Sequence, residues 1–460
     1  MIPLKSDGGE NPSEASVSAG YSTGFGTSGS TTFENSTSGG SYGNGGNVPG
    51  GSAARILRLP SLVHNTNGNS QFTITPKHMQ GRITHRANRL WSHVDWVIPI
   101  VAFFLSAAGL VTMYSFSGES TLFGRQVTWL ILGWCMFFLF SAIDVSFFRR
   151  TDVLVWMFLG ITGILVALFV VGSVFHGAQS WLSLGSLTIQ PADPAKLVLI
   201  LLLAKYFSRR HIEIAHIRHI LVSGFYAFVL FALVLFQPDF GSAMIIFFIW
   251  LGMVMVSGVS KKHLFALFAL AAVAFAVLWQ TGFDEYQKAR IRTFIHPLAD
   301  IRGTGWNAYQ STIAIGSGEI MGKGIGFGTQ SRLQFLPEYE TDFIFAAFSE
   351  EWGFGGAIMI LLLFAILLWR ILLVAFRAPT NFESLYAAGF AIFLASHMTI
   401  HIGMNMGLLP VTGLPLPFVS YGGSHIVTEF AGLGILMSMR RGSRAAHKED
   451  MDRDIPGIVG

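Results

Sequence analysis

Cysteine is all but absent: Cys135 stands alone within an apolar run. An internal disulfide and a cysteine-based metal site are therefore excluded. Charge is scarce too, at 12% of 460 residues, about half the share of an ordinary soluble domain. The net charge of +4 is too small for the broad basic field that nucleic acid demands, so no nucleic-acid partner is expected. The first residues lack the basic-then-apolar order of a cleavable signal peptide, and membrane targeting is expected to fall to the first long apolar run. Apolar residues are what the chain has in plenty: 52% are hydrophobic, with 41 Phe and 11 Trp. That is the complement of a lipid-facing surface, and membrane lipids are the first expected partner.

Residues 1–90 differ in kind from the rest. Gly, Ser, Thr and Asn dominate from Gly20 to Gly51, with too few aliphatic side chains to offset the entropy of ordering them, so a disordered tail is expected. Its far end turns basic at Arg82, Arg86 and Arg89. From Asp95 onward, apolar runs cover 95–115, 126–145, 152–173, 192–207, 216–237, 240–258, 263–281, 342–372, 383–409 and 424–439. About 20 residues of helix cross the hydrocarbon. The expected fold is therefore an all-α integral membrane protein of about ten transmembrane helices, occupying residues 91–441. Arg149–Arg150, Lys205 to Arg218, Lys261–Lys262, Arg377 and Arg440–Arg444 all fall on one side under this count. The positive-inside rule makes that side cytoplasmic, with both termini there and 442–460 a second cytoplasmic tail. The connection 282–341, between helices 7 and 8, is then a large external loop. It holds Trp306, Tyr309, Phe327, Leu333 and Phe335, and is expected to be partly structured.

The chemistry-bearing residues gather near that loop. Its cations are Lys288, Arg290, Arg292, Arg302, Lys323 and Arg332, and its acids include Glu319, Glu338, Glu340 and Asp342. Charge alone reads as a solvated surface. Asp342, however, opens a membrane helix. A carboxylate there serves as a cap or dipole partner, or as a general base beside an anionic lipid head group. Asp193 and Lys196 are three residues apart and share a helical face, as a structural ion pair or as part of a substrate site. Arg125 is a snorkelling anchor or a phosphate ligand. Asp239, in Gln237-Pro238-Asp239-Phe240-Gly241, reads as a turn cap. Glu350, Glu351 and Glu429 are intramembrane carboxylates, functional candidates or helix-holding groups. His397 and His401 have the spacing of a helical metal site, but no Glu stands beside His397 to complete a zinc-protease pattern.

Several long strings then act together. They are Gln190-Pro191 with Lys196; Pro238-Asp239-Phe240-Gly241; Tyr309 to Gly318; Leu336-Pro337-Glu338 leading to Thr341-Asp342-Phe343; and Gly413 to Ser424, which contains Ser420. In that order they resemble the SEDS family of peptidoglycan polymerases, the RodA, FtsW and SpoVE proteins, from roughly Asp95 to Arg440. The wording Gly328-Thr329-Gln330-Ser331 and Phe418-Val419-Ser420 is closer to RodA, the elongation member, than to FtsW, the division member. The resemblance implies a glycosyltransferase of the bacterial cytoplasmic membrane. It would join lipid II units by inverting transfer, with undecaprenyl pyrophosphate leaving, in cell-wall elongation and shape maintenance. Asp342 corresponds to the family's essential aspartate. Arg125 and Lys196, helped by Arg290 or Arg292, would face the pyrophosphate, and Asp193, Glu350 and Ser420 complete the expected substrate site. A divalent cation, Mg or Mn, is conceivable on this chemistry, although no dedicated cage is legible. The implied partners are a class B penicillin-binding transpeptidase and a cytoskeletal elongation complex.

Several positions depart from the family pattern. Glu340 replaces the usual His before Thr-Asp-Phe, and a second carboxylate there is expected to raise the pKa of Asp342. Asp193 shortens the usual acid, Ser180 replaces an Arg, and Glu429 replaces an uncharged residue. A lipid II flippase or transporter, with Asp193, Lys196 and Glu350 along its path, is the main rival. It would show internal repeats and interrupted helices, neither of which is clear here. A division polymerase and a non-catalytic scaffold for the transpeptidase are the remaining readings.

Overall fold

The computed structural model describes residues 94–117, 121–175, 178–184, 187–209, 217–282, 285–296 and 305–453. The expected N-terminal tail, its basic end and Arg302 lie outside the described residues. The chain begins with α1 (Val97–Ser117), α2 (Thr121–Ala142), the short α3 (Val145–Arg149) and α4 (Thr151–Val171). Then come α5 (Ala192–Ser208), α6 (Ile217–Phe236), α7 (Phe240–Val256) and α8 (Lys261–Thr281). Within the long connection lie α9 (Glu285–Ile295), α10 (Trp306–Ser317) and α11 (Thr329–Arg332), followed by α12 (Ile344–Phe376), α13 (Asn381–Asn405) and α14 (Gly423–Arg453).

Each expected span coincides with one of these helices. Among the described residues, α1, α2, α4, α6, α8, α12 and α13 are long and apolar enough to cross a bilayer. The other three have physical reasons to fall outside that measure. Helices α5 and α7 have 17 residues each and are buried along much of their length, whereas α14 carries a basic and acidic run after Met439. Helix α5 packs between α4, α7 and α13, and α14 runs along α2. Small residues let that last seam close: a Cβ on Gly434 would lie 2.6 Å from the Phe137 carbonyl oxygen, and one on Gly133 2.7 Å from the Phe430 ring.

Two features depart from the all-helical expectation. Between α4 and α5 the chain forms β1 (Ser173–Phe175), β2 (Ala178–Leu184) and β3 (Leu187–Ile189), an antiparallel sheet in the order β1-β2-β3. The pairing satisfies backbone groups that a stretch too short to span could not satisfy as an isolated strand. The second is an interruption of α12 at Gly353, at φ 66 and ψ −163, ten residues into the helix. The turn 319–324 supplies the backbone bonds displaced there. Lys323 N donates to Glu350 O (3.0 Å), Gly324 N to Glu351 O (3.0 Å), Phe354 N to Glu319 O (2.8 Å) and Gly355 N to Ile320 O (3.2 Å). The expected partial order of the 282–341 connection thus takes a definite form. Leu336 and Ala314 pack with Phe343 and Ala346 in a small second core, which seats the connection on the start of α12.

Candidate active site

Asp342 sits in the turn that delivers the connection into α12. The backbone N–H groups of Thr341, Asp342 and Phe343 all donate to the Glu338 carbonyl, at 3.2, 3.0 and 3.2 Å. Glu338 itself adopts φ 52, an unfavourable conformation for a residue with a side chain. Asn405, the last residue of α13, holds the turn from below. Its Nδ2 donates to Asp342 O (2.9 Å), and its Oδ1 accepts from Ala346 N (3.1 Å). From the other side comes the segment 411–422. Ser420 Oγ donates to Thr341 O at 2.7 Å and accepts from Leu416 N at 2.8 Å, while Tyr421 N donates to Glu340 O at 2.8 Å. The half-buried Asp342 carboxylate faces Gly413, where an added Cβ would lie 3.4 Å from Oδ2. Gly413 has φ 73, so glycine meets both the backbone requirement and the close approach.

Of the expected partners, Arg290 and Ser420 are brought to this place. Arg290 Nη1 donates to Val411 O at 3.0 Å, two residues from Gly413. Exposed Arg125 precedes Gln126, whose Nε2 donates to Ser420 O at 3.0 Å, so α2 carries Arg125 beside the same segment. Arg292 instead pairs with Glu285 at 3.2 Å on an exposed surface. Three further residues of the expected set, Asp193, Lys196 and Glu350, are buried and meet protein partners. Lys196 is 1% exposed, with Nζ 3.0 Å from Asp193 Oδ1, and Ser424 Oγ donates to Asp193 Oδ2 at 2.7 Å. In the described structure, the pair is an ion pair inside the bundle, its groups engaged by protein. Glu350, 0% exposed, pairs with Lys323 at 2.7 Å and accepts from Thr329 Oγ1 and Gln330 N at 3.1 and 3.0 Å. It pins the loop to α12, because a buried charge must be met by donors.

Glu340 is buried and accepts from Tyr339 OH at 3.3 Å. Burial, with the nearby Glu338 charge, holds its carboxyl above the ordinary range, while Tyr339 works against the rise. Burial and that same carboxylate push the Tyr339 phenol up to about 12. The Asp239 side chain accepts from Ser242 N at 3.0 Å, the expected cap, and also from Gln190 Nε2 at 2.6 Å. His397 and His401 turn Nδ1 toward the carbonyls of Pro415 and Leu414, at 3.4 and 2.7 Å. Among the described residues, no group of three or more His, Cys, Asp or Glu is arranged to hold a metal. Sequence reasoning passed over Asn405, though a lone polar residue ending an apolar helix was a signal. Gly413 was marked only as the head of the Gly413 to Ser424 string, with no sign of its approach to Asp342.

Comparison with known proteins settles the family. The FtsW/RodA/SpoVE family model, described as cell cycle protein, matches residues 90–445. The chain belongs to this family. Stage V sporulation protein E of Bacillus subtilis is 34% identical over 362 residues, covering 76% of this chain and 98% of that protein. Peptidoglycan glycosyltransferase MrdB of Escherichia coli K12 is 38% identical over 276 residues, 60% of this chain and 74% of its own length. Among solved structures, a chain of a peptidoglycan synthase complex that coordinates polymerization and crosslinking superposes with a TM-score of 0.66 at 30% identity, covering 76% of this chain and 98% of that one. The rod shape determining protein RodA of Thermus thermophilus gives 0.56 at 28% identity, covering 75% and 96%. The family resemblance and the helical membrane fold both stand.

Proposed function

We propose that this member of the family is a peptidoglycan glycosyltransferase that polymerises lipid II at the outer face of the bacterial cytoplasmic membrane, with Asp342 as general base. The observation that carries the reading is the placement of Asp342. The backbone that carries it is held at the start of α12 by Asn405 at the Asp342 carbonyl and by Ser420 at the Thr341 carbonyl, and Arg290 is anchored at Val411, two residues from the Gly413 that the carboxylate faces. Family membership and the relatives named peptidoglycan glycosyltransferase support it. The acceptor sugar hydroxyl gives its proton to the Asp342 carboxylate, and its oxygen bonds to the donor's anomeric carbon from the face opposite the leaving group. The anomeric carbon–oxygen bond breaks, and undecaprenyl pyrophosphate departs with the electron pair. Arg290 and Arg125 are the cations proposed to meet that charge, with Arg292 as a helper on α9. A Mg or Mn ion is usually held by one or two carboxylates together with substrate phosphates, and Asp342 is the carboxylate that would meet one here.

The positive-inside asymmetry supports external placement of the Asp342 end and cytoplasmic termini. A class B transpeptidase and a cytoskeletal elongation complex are the proposed partners, the first supported by the likeness to a synthase complex. The wording around Ser420 favours elongation over division. The test supplies lipid II to the purified protein, alone and with its transpeptidase. Glycan strands from wild type and none from Asp342→Ala are expected. Normal polymer from Asp342→Ala removes the base assignment, and lipid II crossing vesicles without polymer replaces the enzyme with a flippase.

A further inference from the structure

Glu429 lies in the second turn of α14 and is 0% exposed. A carboxylate so placed needs donors on both oxygens, and what supplies them is informative. His425 Nε2 lies 2.9 Å from Oε1, and the Phe418 backbone N–H donates to Oε2 at 2.9 Å. His425 is itself held. Its Nδ1 lies 3.4 Å from Asp193 Oδ1, within the Asp193–Lys196 pair, and its ring lies against His397 at 4.5 Å between centroids. Phe418 adopts φ 62 and is fully buried, with its ring against Phe430. A bulky residue in the left-handed region persists only where its surroundings impose it.

Two residues further on stands Ser420, whose hydroxyl joins Leu416 N–H to the Thr341 carbonyl, next to Asp342. The same backbone presses on α1 so closely that a Cβ on Gly109 would overlap Val419 O. The segment therefore has one tight seat, and Glu429 is the acceptor that sets its backbone at Phe418. We propose that Glu429 is a positioning residue for the active site. It fixes the Phe418 peptide, through it Ser420, and through Ser420 the Thr341–Asp342 backbone. The inference rests on Asp342 being the base.

Two variants separate positioning from simple charge balance. Glu429→Gln keeps an oxygen of full reach for Phe418 N–H but loses the charge beside His425. Glu429→Asp keeps the charge and withdraws that reach by one carbon. Polymerisation of lipid II by full-length protein is measured for kcat and KM separately, with thermal unfolding recorded alongside. Positioning predicts that Glu429→Gln retains most of kcat. Glu429→Asp is expected to lose about 10- to 100-fold in kcat with KM within about threefold, since misplacement by about 1 Å costs on that order. Combining Glu429→Asp with Ser420→Ala should be no worse than Ser420→Ala alone, because both break one chain. The opposite order, with Glu429→Asp more active than Glu429→Gln, makes Glu429 a charge partner only and overturns the proposal. So does a loss confined to KM, or a fully additive double variant. Inactive wild type, or an active Asp342→Ala, would instead overturn the functional reading beneath it.

Discussion

The two ends of α12 are built by different rules. At its start, every non-glycine residue with positive φ in the described structure is found in the turns of the same end: Pro238, Glu319, Gln334, Glu338 and Phe418. Side chains from distant elements act there: Glu429 holds the Phe418 N–H, and Asn405 and Ser420 hold the Asp342 and Thr341 carbonyls in the turn after Glu338. At the far end, Asp95 takes Arg370 and Arg440 at 2.7 Å each, with an unstrained backbone around it. Strain collects where a geometry must be imposed against local preference, as it does at functional sites in general, which agrees with the place proposed for Asp342. The far end needs only charge neutralisation, which ordinary conformations provide.

The comparison breaks most visibly through Asp342. Asp342→Ala is expected to lower polymerisation by at least about a hundredfold, the scale of a lost general base, with little change in thermal unfolding. Asp95→Asn should leave the rate near wild type in the same assay. If Asp95→Asn were as damaging as Asp342→Ala, the contrast between the ends would fall.

Next in size is the interlock at the interrupted helix. Gly322 has φ 80, and a Cβ there would overlap the Glu351 carbonyl and lie 2.6 Å from Gly353 N. Gly322→Ala should cost about 3 kcal/mol or more in stability, from strain and overpacking together. Gly160→Ala, in α4 with open space around it, is the control and should be neutral or slightly stabilising. Thermal unfolding in one detergent reads both.

Smaller effects come from titration. At Asp95 burial alone would raise the carboxyl, but the Arg370 hydrogen bond and the Arg440 charge outweigh it and hold it below its ordinary 3.8. A depressed folded value means stability that is present above pH 3.8 and lost as pH falls through the folded value. Arg370 and Arg440 are 32% and 25% exposed at their side chains, so solvent screening limits Asp95→Asn to about 1 kcal/mol near neutrality. Glu340 has the opposite sign. Its carboxyl is raised above 4.5, so its contribution is full below that pH and lost as pH rises through the folded value. Stability measured across that window should fall with pH in wild type and flatten in Glu340→Gln; an unchanged slope would mean another group carries it.

Much of the bundle was legible in advance because a bilayer reads one property, length of apolar chain. The runs from Thr151 and from Ile344 could hardly be anything else. Asp342 was legible for a related reason, as an acid at the mouth of an apolar run and inside a recurring string. The protein partners of Asp193, Lys196 and Glu350 were not. A charged residue in an apolar run looks the same whether it meets substrate or another side chain, and two of the partners, Ser424 on Asp193 and Lys323 on Glu350, lie 231 and 27 residues away along the sequence. The interruption at Gly353 was hidden likewise, since glycine is tolerated in helices and only the docking of 319–324 makes this one break.

By itself, then, the sequence determined a helical membrane protein, its approximate spans, its family resemblance and the identity of the carboxylate at the head of α12. These depend on local composition and order, which the solvent reads directly. Only the tertiary structure decided which buried charges pair, where the backbone is strained and what holds Asp342 in place. Those depend on contacts between elements far apart in the chain, and no local pattern encodes a distance across the bundle.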